Sequence, residues 1–287
     1  MRAPFPPVLK WTGLVLACIS LVALVLLTPG GLLRKIDYVG AAVCHRRPSH
    51  SFSIAGRQLP LCQRCSGTFP GALTGVLTHW LIWRRRRSAR FPSWPMFALM
   101  ALFAGIWALD GINSTTADAH VKALVGRFVN RPPGVGLLGY SPQPWLRLFS
   151  GALMGMSMSA VLVPAFNQAV WKDGEDVATI RSWHELAFLI AVELGMGALI
   201  YILSSSQSSL ALYAVSIYSA LGVVTMFTLL GAMMFVLLTR RDAGLVGWRE
   251  AWVPMVWGLV FAALMVAVMD SARLWMTGTI DGVPGLP

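Results

Sequence analysis

Long apolar stretches recur along this chain, and they constrain its fold more than any other feature. A helix needs about 20 apolar residues to cross the hydrocarbon core of a membrane. Seven stretches meet this requirement, at about 11–28, 66–83, 93–111, 145–166, 185–204, 209–238 and 251–274. The sequence therefore predicts an all-α fold, a polytopic transmembrane helical bundle of about seven spans, with a cysteine-containing irregular loop between spans 1 and 2.

The composition agrees with a membrane protein and argues against a nucleic-acid-binding protein. Only 12% of the 287 residues are charged and 56% are hydrophobic, whereas about a quarter of a soluble domain is charged. The net charge of +11 comes largely from arginines in short loops beside apolar stretches, where such residues set topology and contact lipid headgroups. Because the sequence has no readout motif, we expect membrane lipids as partners and no nucleic acid.

Arginine density predicts the orientation of the bundle. Five arginines lie within the seven residues 84–90, directly after the second apolar stretch. Because dense Lys and Arg beside a span stay in the cytoplasm, the N-terminus is predicted to be cytoplasmic. The first stretch has no clear cleavage site and is interpreted as an uncleaved anchor. The loop before the second stretch then faces outward.

That loop carries most of the candidate chemistry, in the stretch "CHRRPSHSFSIAGRQLPLCQRCSG". Cys62 and Cys65 form a C-x-x-C pair, and Cys44 lies 18 residues before Cys62. Three thiolates and the imidazole of His45 are the ligand types of a tetrahedral zinc or iron site. The same pair could instead close as a disulfide or act as a redox couple. An inert, packed loop is the third interpretation.

The fourth metal ligand stays open among three histidines. His45 directly follows Cys44, and neighbouring side chains of an extended backbone point to opposite faces, so both reach one metal only in a turn. His50 and His120 are the alternatives. The remaining cysteine, Cys18, stands alone in an apolar stretch and is interpreted as a small hydrophobic residue.

The cysteine loop resembles a family of bacterial and archaeal polytopic membrane proteins known as domain of unknown function 2085. The positions that match its pattern are Cys44, His45, Arg46, Pro48, Ser51, Phe52, Gly56, Gln58, Pro60, Cys62, Arg64, Cys65 and Gly67. Two looser matches follow, one at Asp110 and Gly111 and one at Trp145, Leu146, Arg147 and Gly151. The asparagine expected before the tryptophan is Pro144 here.

The resemblance implies an organisation and a location but no activity. It implies a single membrane domain over 1–287, with a family-like core at 39–166 and additional transmembrane helices at 167–287. It also implies a bacterial or archaeal cytoplasmic membrane, and it favours His45 as the fourth ligand because His45 matches the family pattern.

The predicted topology brings Asp110 and Arg147 to the same outer face as the cysteine loop. One expectation is an ion pair between these two residues. The other is a shallow polar pocket for a phosphate or carboxylate headgroup, because guanidinium groups bind such anions in a bidentate way. Five arginines would surround this pocket: Arg46, Arg47, Arg57, Arg64 and Arg147.

Glu193 is predicted near the middle of the fifth span. A charge there costs about 2.5–3.5 kcal/mol on insertion scales, so we expect this acid to be protonated or partnered inside the bundle. It is interpreted either as a proton or ion site or as a neutral acid bonded to a neighbouring helix. Glu193, His50 and Asp110 are the polar residues that we consider as further candidates for a functional site.

Three functions fit the sequence. The first is a membrane protein with an outer-face metal site, zinc-like, beside an anion pocket; no base or nucleophile is identifiable, so the sequence leaves open whether it is an enzyme. The second is a thiol–disulfide protein that works with a membrane quinone. The third is a structural or assembly subunit of a larger membrane complex.

Overall fold

The computed structural model describes residues 5–118, 132, 134–241 and 243–281. This part of the chain is an all-α bundle with two small two-stranded sheets, as predicted for a polytopic membrane protein. Its helices are α1 (Pro7–Leu27), α2 (Leu32–Ala41), α3 (Gln63–Leu77), α4 (Trp94–Ala117), α5 (Pro144–Val170), α6 (Trp183–Leu203), α7 (Ser209–Leu238) and α8 (Trp248–Thr277). The strands are β1 (Ser51–Ile54), β2 (Arg57–Cys62), β3 (Ser88–Arg90) and β4 (Glu175–Ala178).

Six of these helices, α1 and α4 to α8, are long and apolar enough to cross a membrane. The second predicted span has a different form. It consists of α3, which has 15 residues, and of a π-helical turn of five residues, Thr78–Ile82. Most side chains of α3 are buried inside the bundle, so the neighbouring helices separate it from lipid. A helix in this position does not need an apolar surface, which explains its polar composition.

Glycines bring α3 and α5 into direct backbone contact. Gly67, Gly71 and Gly75 lie four residues apart on α3, and Gly151 and Gly155 lie on α5. A Cβ at Gly67 would collide with the main chain of α5, and one at Gly151 would collide with the main chain of α3. Small residues allow such close approach of transmembrane helices. Gly151 and Gly155 therefore serve the packing of α5 against α3.

The segment between α1 and α3 is more regular than the irregular loop that the sequence predicted. It contains α2, a short 3-10 turn at Pro48–His50 and an antiparallel hairpin of β1 and β2. The two hairpin-turn residues, Ala55 and Gly56, both have positive φ, as a two-residue type I′ turn requires. The hairpin buries apolar side chains of both strands, which hold it against the bundle: Phe52, Ile54, Leu59 and Leu61.

The bundle has two polar ends. At the first, the site end, α3 and α5 begin and α4 and α8 finish; the Arg64–Asp110 ion pair joins the start of α3 to α4. At the second, the arginine end, residues 84–87 follow the π-helical turn. Arg85 there forms an ion pair with Glu185 at the start of α6. The cysteine loop and the arginine run thus lie at opposite ends, as the predicted topology requires.

Candidate functional site

Two thiols and one imidazole converge at the site end. The sulfur atoms of Cys44 and Cys62 and a ring nitrogen of His45 all lie within 4.8 Å of one another. Cys65, in the first turn of α3, interacts with both other thiols, but it is not one of the three residues whose ligand atoms lie within 4.8 Å of one another. Sulfurs that share a zinc ion at about 2.3 Å lie roughly 3.5–4 Å apart. The cluster therefore has the donor types and the compactness of a metal site.

The backbone folds around the sulfur of Cys44. The main-chain N–H of Cys62 donates a hydrogen bond to this sulfur at 3.1 Å, and that of Arg46 donates at 3.5 Å. Arg46 has a φ of +52°, a left-handed conformation that turns the chain back over the thiol. This is the turn that the sequence required if Cys44 and His45 were to face one metal.

The environment of Cys62 favours a thiolate. This residue is the N-cap of α3, where the helix dipole stabilises negative charge. Hydrogen bonds from the Cys44 and Cys65 thiols hold the pKa of Cys62 well below its ordinary value. The hydrogen bond to Cys62, with burial as a further cause, raises the pKa of Cys44 to about 12. A cation bound to the cluster would release protons from the thiols, because cysteine binds metal as the thiolate.

All four cysteines of the chain are free thiols in this structure. The C-x-x-C pair is not closed as a disulfide. Cys18, the unassigned cysteine, is exposed on the surface of α1, far along the chain from the other three.

His50 supports His45 rather than replacing it. A ring nitrogen of His45, Nε2, lies 3.3 Å from Nδ1 of His50, and Nε2 of His50 lies 3.0 Å from an oxygen of Asp118. Burial, followed by the nearby charge of Arg147, lowers the pKa of His50 to about 4, so this ring is neutral. Its Nε2–H then donates to Asp118 and its Nδ1 accepts from His45.

This hydrogen-bond order leaves Nδ1 of His45 with a free lone pair. Metal-ligating histidines commonly donate their other ring N–H to a fixed acceptor, which sets the tautomer. The structure supplies that acceptor through His50 and Asp118. The third histidine considered as a ligand, His120, lies outside the described residues.

Four of the five arginines predicted to bind an anion are paired with aspartates. Asp37 binds Arg46 at 2.9 Å and Arg57 at 2.7 Å. Asp118 binds Arg47, and Asp110 binds Arg64 at 2.7 Å. The sequence could not show these pairs, because each of them joins different elements of the fold.

Arg147 differs from the other four. Its side chain is 6% exposed, and its Nη1 donates to the side-chain oxygen of Gln63 at 3.0 Å. Its Nε is buried and has no hydrogen-bond partner among the described residues. Within the described ranges no carboxylate lies within 4.0 Å of this guanidinium. The expected Asp110–Arg147 ion pair is therefore not formed; Asp110 instead accepts from Arg64 and from the hydroxyl of Tyr140.

Arg273, at the end of α8, is a residue of the site that the sequence did not reveal. Its guanidinium donates to the carbonyl oxygens of Ala41, Cys44 and His45 at 2.5–3.0 Å. It thereby fixes the backbone that carries two of the proposed ligands. A basic residue at the end of a span is ordinarily an interfacial anchor, so nothing in the sequence indicated this contact.

Glu193 does not belong to this cluster. It lies in the middle of α6 and is completely buried, and neither carboxyl oxygen has a hydrogen-bond partner in the part of the chain that the structure describes. The structure places it against the glycine face of α3.

The fold and the cluster define a multi-pass membrane protein with a Cys/His group at one end. The family model described as "Predicted membrane protein (DUF2085)" matches residues 44–161. An uncharacterized protein of Methanothermobacter thermautotrophicus is 45% identical over 95 residues, which are 33% of this chain and 80% of that relative. The chain therefore belongs to the DUF2085 family of predicted membrane proteins. No solved structure matches it.

Proposed function

We propose that this protein binds one zinc-like metal ion through Cys44, His45, Cys62 and Cys65. The observation that carries the proposal is the convergence of two buried sulfurs and an imidazole nitrogen within 4.8 Å. Four protein ligands complete a tetrahedral set, which is typical of a structural zinc site. A metal there would tie the end of α2 to the start of α3 and so fix the site end of the bundle.

We also propose an orientation of the protein in the membrane. We place the site end on the outer face of a bacterial or archaeal cytoplasmic membrane, with the N-terminus inside. Its support is the dense arginine run of residues 84–87 at the opposite end, since Lys and Arg beside spans are retained in the cytoplasm.

The metal proposal predicts about one zinc per chain in detergent-purified protein, measured by inductively coupled plasma mass spectrometry. Cys62→Ser should lose most of this metal because it removes a thiolate ligand. Cys18→Ser should keep it, since Cys18 lies on the surface of α1. In intact cells, an external chelator should remove the metal. The thiols of Cys44, Cys62 and Cys65 should then react with a membrane-impermeant maleimide.

Other results would contradict this function. Metal-free wild-type protein with a Cys62–Cys65 disulfide would favour the thiol–disulfide alternative. Metal-free protein with three free, unreactive thiols would favour a structural or assembly subunit. Maleimide labelling that requires permeabilised cells would reverse the orientation.

We further propose that the anion pocket centres on Arg147 alone. Its support is the contrast between this buried guanidinium, whose Nε lacks a partner, and the four arginines that aspartates neutralise. Guanidinium groups bind phosphate oxygens through charge-assisted hydrogen bonds. The ligand is an oxyanion, carried either by a lipid headgroup or by free phosphate.

The anion proposal predicts that Arg147→Gln weakens phosphatidylglycerol binding about tenfold, as the loss of one charge-assisted hydrogen bond implies. Native mass spectrometry with phosphatidylglycerol against phosphatidylcholine measures this binding. Arg90→Gln is the matched control, because Arg90 is largely exposed at the arginine end. Competition by inorganic phosphate would identify free phosphate as the ligand, and lack of competition a lipid headgroup. Equal phosphatidylglycerol binding by both variants and the wild type would overturn the proposal.

A further inference from the structure

Glu193 is a buried acid that stabilises nothing by hydrogen bonding. Its side chain has no solvent exposure, and both carboxyl oxygens lack a partner among the described residues. An ionised carboxylate in this position, in the middle of a span and without donors, is strongly disfavoured. The carboxyl group is therefore neutral in this state and carries a proton.

Glu193 lies against two glycines of α3, and no described residue forms a hydrogen bond with its carboxyl group. Its two oxygens lie against Gly71 and Gly75 of α3; a Cβ at Gly71 would come 3.0 Å from Oε2, and one at Gly75 would come 3.5 Å from Oε1. The hydroxyl of Ser159 also lies against Gly75, but it donates to the Met156 carbonyl at 2.7 Å. The neutral acid bonded to a neighbouring helix, which the sequence allowed, is thus not what the structure contains.

A second buried group without a full set of partners lies in the π-helical turn that follows α3. His79 is fully buried, and its Nδ1 donates to the carbonyl oxygen of Gly75 at 2.6 Å. Its Nε2 has no partner among the described residues, so the ring presents a free lone pair. Gly75 therefore lies against both groups, since a Cβ built at this glycine would come 3.5 Å from Oε1 of Glu193.

The other titratable groups near these two residues are few. Tyr218 of α7 is the titratable group that interacts with Glu193, and its hydroxyl shares a 2.7 Å hydrogen bond with Thr74. Arg85 and Glu185, which form an ion pair at the arginine end, are the charged groups that act on His79. Gly75 thus contacts both Glu193 and His79, and His79 in turn interacts with the ion pair at the arginine end.

We propose that Glu193 is a proton-binding site inside the bundle and that it exchanges its proton with the arginine end through His79. In the exchange, the O–H bond of the Glu193 carboxyl breaks and an N–H bond forms at Nε2 of His79, directly or across one water molecule. The imidazolium then releases a proton to water at the arginine end, and the reverse sequence reloads the carboxylate.

Infrared spectroscopy of the full chain in lipid tests the first part of this proposal. The wild type should show the C=O stretch of a protonated carboxyl at neutral pH, and Glu193→Gln should lose it. Asp270→Asn is the matched control, because Asp270 is the buried acid of another span, α8, and this variant should keep the Glu193 band. Retention of bound metal by Glu193→Gln shows that this variant is folded, independently of the band.

Transfer to heavy water tests the route. Deuterium should shift the Glu193 band in the wild type, and His79→Phe should slow this shift about a hundredfold, the lower range of what a positioned acid–base group contributes. His184→Phe, an exposed histidine at the same end, should exchange as the wild type does. A band that survives in Glu193→Gln, or that never shifts in heavy water, overturns the proton-binding site. Unchanged exchange in His79→Phe overturns the route.

Discussion

Gly67→Ala is expected to destabilise the bundle by about 3 kcal/mol or more, at the upper end of what overpacking costs. The physical reason is that the new Cβ would meet the main chain of α5 at the Leu148 carbonyl and, at 2.7 Å, the nitrogen of Ala152. Main-chain atoms of a packed helix cannot rotate away as a flexible side chain can, so the two helices must separate. Unfolding of the purified protein by a denaturing detergent, followed by circular dichroism, measures the change.

Two other glycines provide matched controls for this prediction. No described residue lies within 4 Å of a Cβ built at Gly105 of α4 or at Gly195 of α6. Alanine there should leave stability unchanged or raise it by up to about 1 kcal/mol, because alanine favours helix more than glycine does. If Gly67→Ala loses no more stability than Gly105→Ala, the close crossing of α3 and α5 is wrong.

The same crossing shows how far the sequence predicts this fold. Six spans are evident from their apolar length alone, because lipid-facing helices must be hydrophobic. The helix α3 is harder to predict, since burial among other helices removes that requirement. Its glycines at 67, 71 and 75 follow the four-residue spacing of a packing face. That pattern, read together with Gly151 and Gly155, would have indicated the central helix pair.

The candidate site was predictable only where its residues are close in sequence. The C-x-x-C pair, Cys44 and His45 lie within 22 residues, and the structure brings Cys44, His45 and Cys62 within 4.8 Å of one another. The partners of the arginines lie on other elements: Asp118 is 71 positions from Arg47. Arg273 is 229 positions from Cys44. Such contacts depend on the tertiary arrangement of helices, which local spacing does not encode.

Asp37 is expected to be the most sensitive carboxylate at the site end. It is 4% exposed and binds Arg46, which is 3% exposed, at 2.9 Å, and also binds Arg57 at 2.7 Å. Asp37→Asn leaves the buried guanidinium of Arg46 with only the half-exposed carboxylate of Asp281, 3.4 Å away. Losing the buried partner of such a pair costs about 3–5 kcal/mol. Denaturing-detergent unfolding measures this loss.

Asp37→Asn should lower metal content as well as stability. A control variant and a double variant show whether the lost charge of Asp37 is the cause. The N–H of Arg46 donates to the sulfur of Cys44, so displacement of Arg46 should weaken metal binding about 10- to 100-fold, as loss of outer-shell support does. Asp176→Asn is the control, because Asp176 is 87% exposed in its pair with Arg90 at the arginine end and exposed pairs contribute about 1 kcal/mol or less. The double variant Asp37→Leu with Arg46→Met should recover most of the stability, since replacing both partners of a buried pair is often neutral. A double variant as unstable as Asp37→Asn would show instead that Asp37 acts through the backbone of α2 and not through the charge of Arg46.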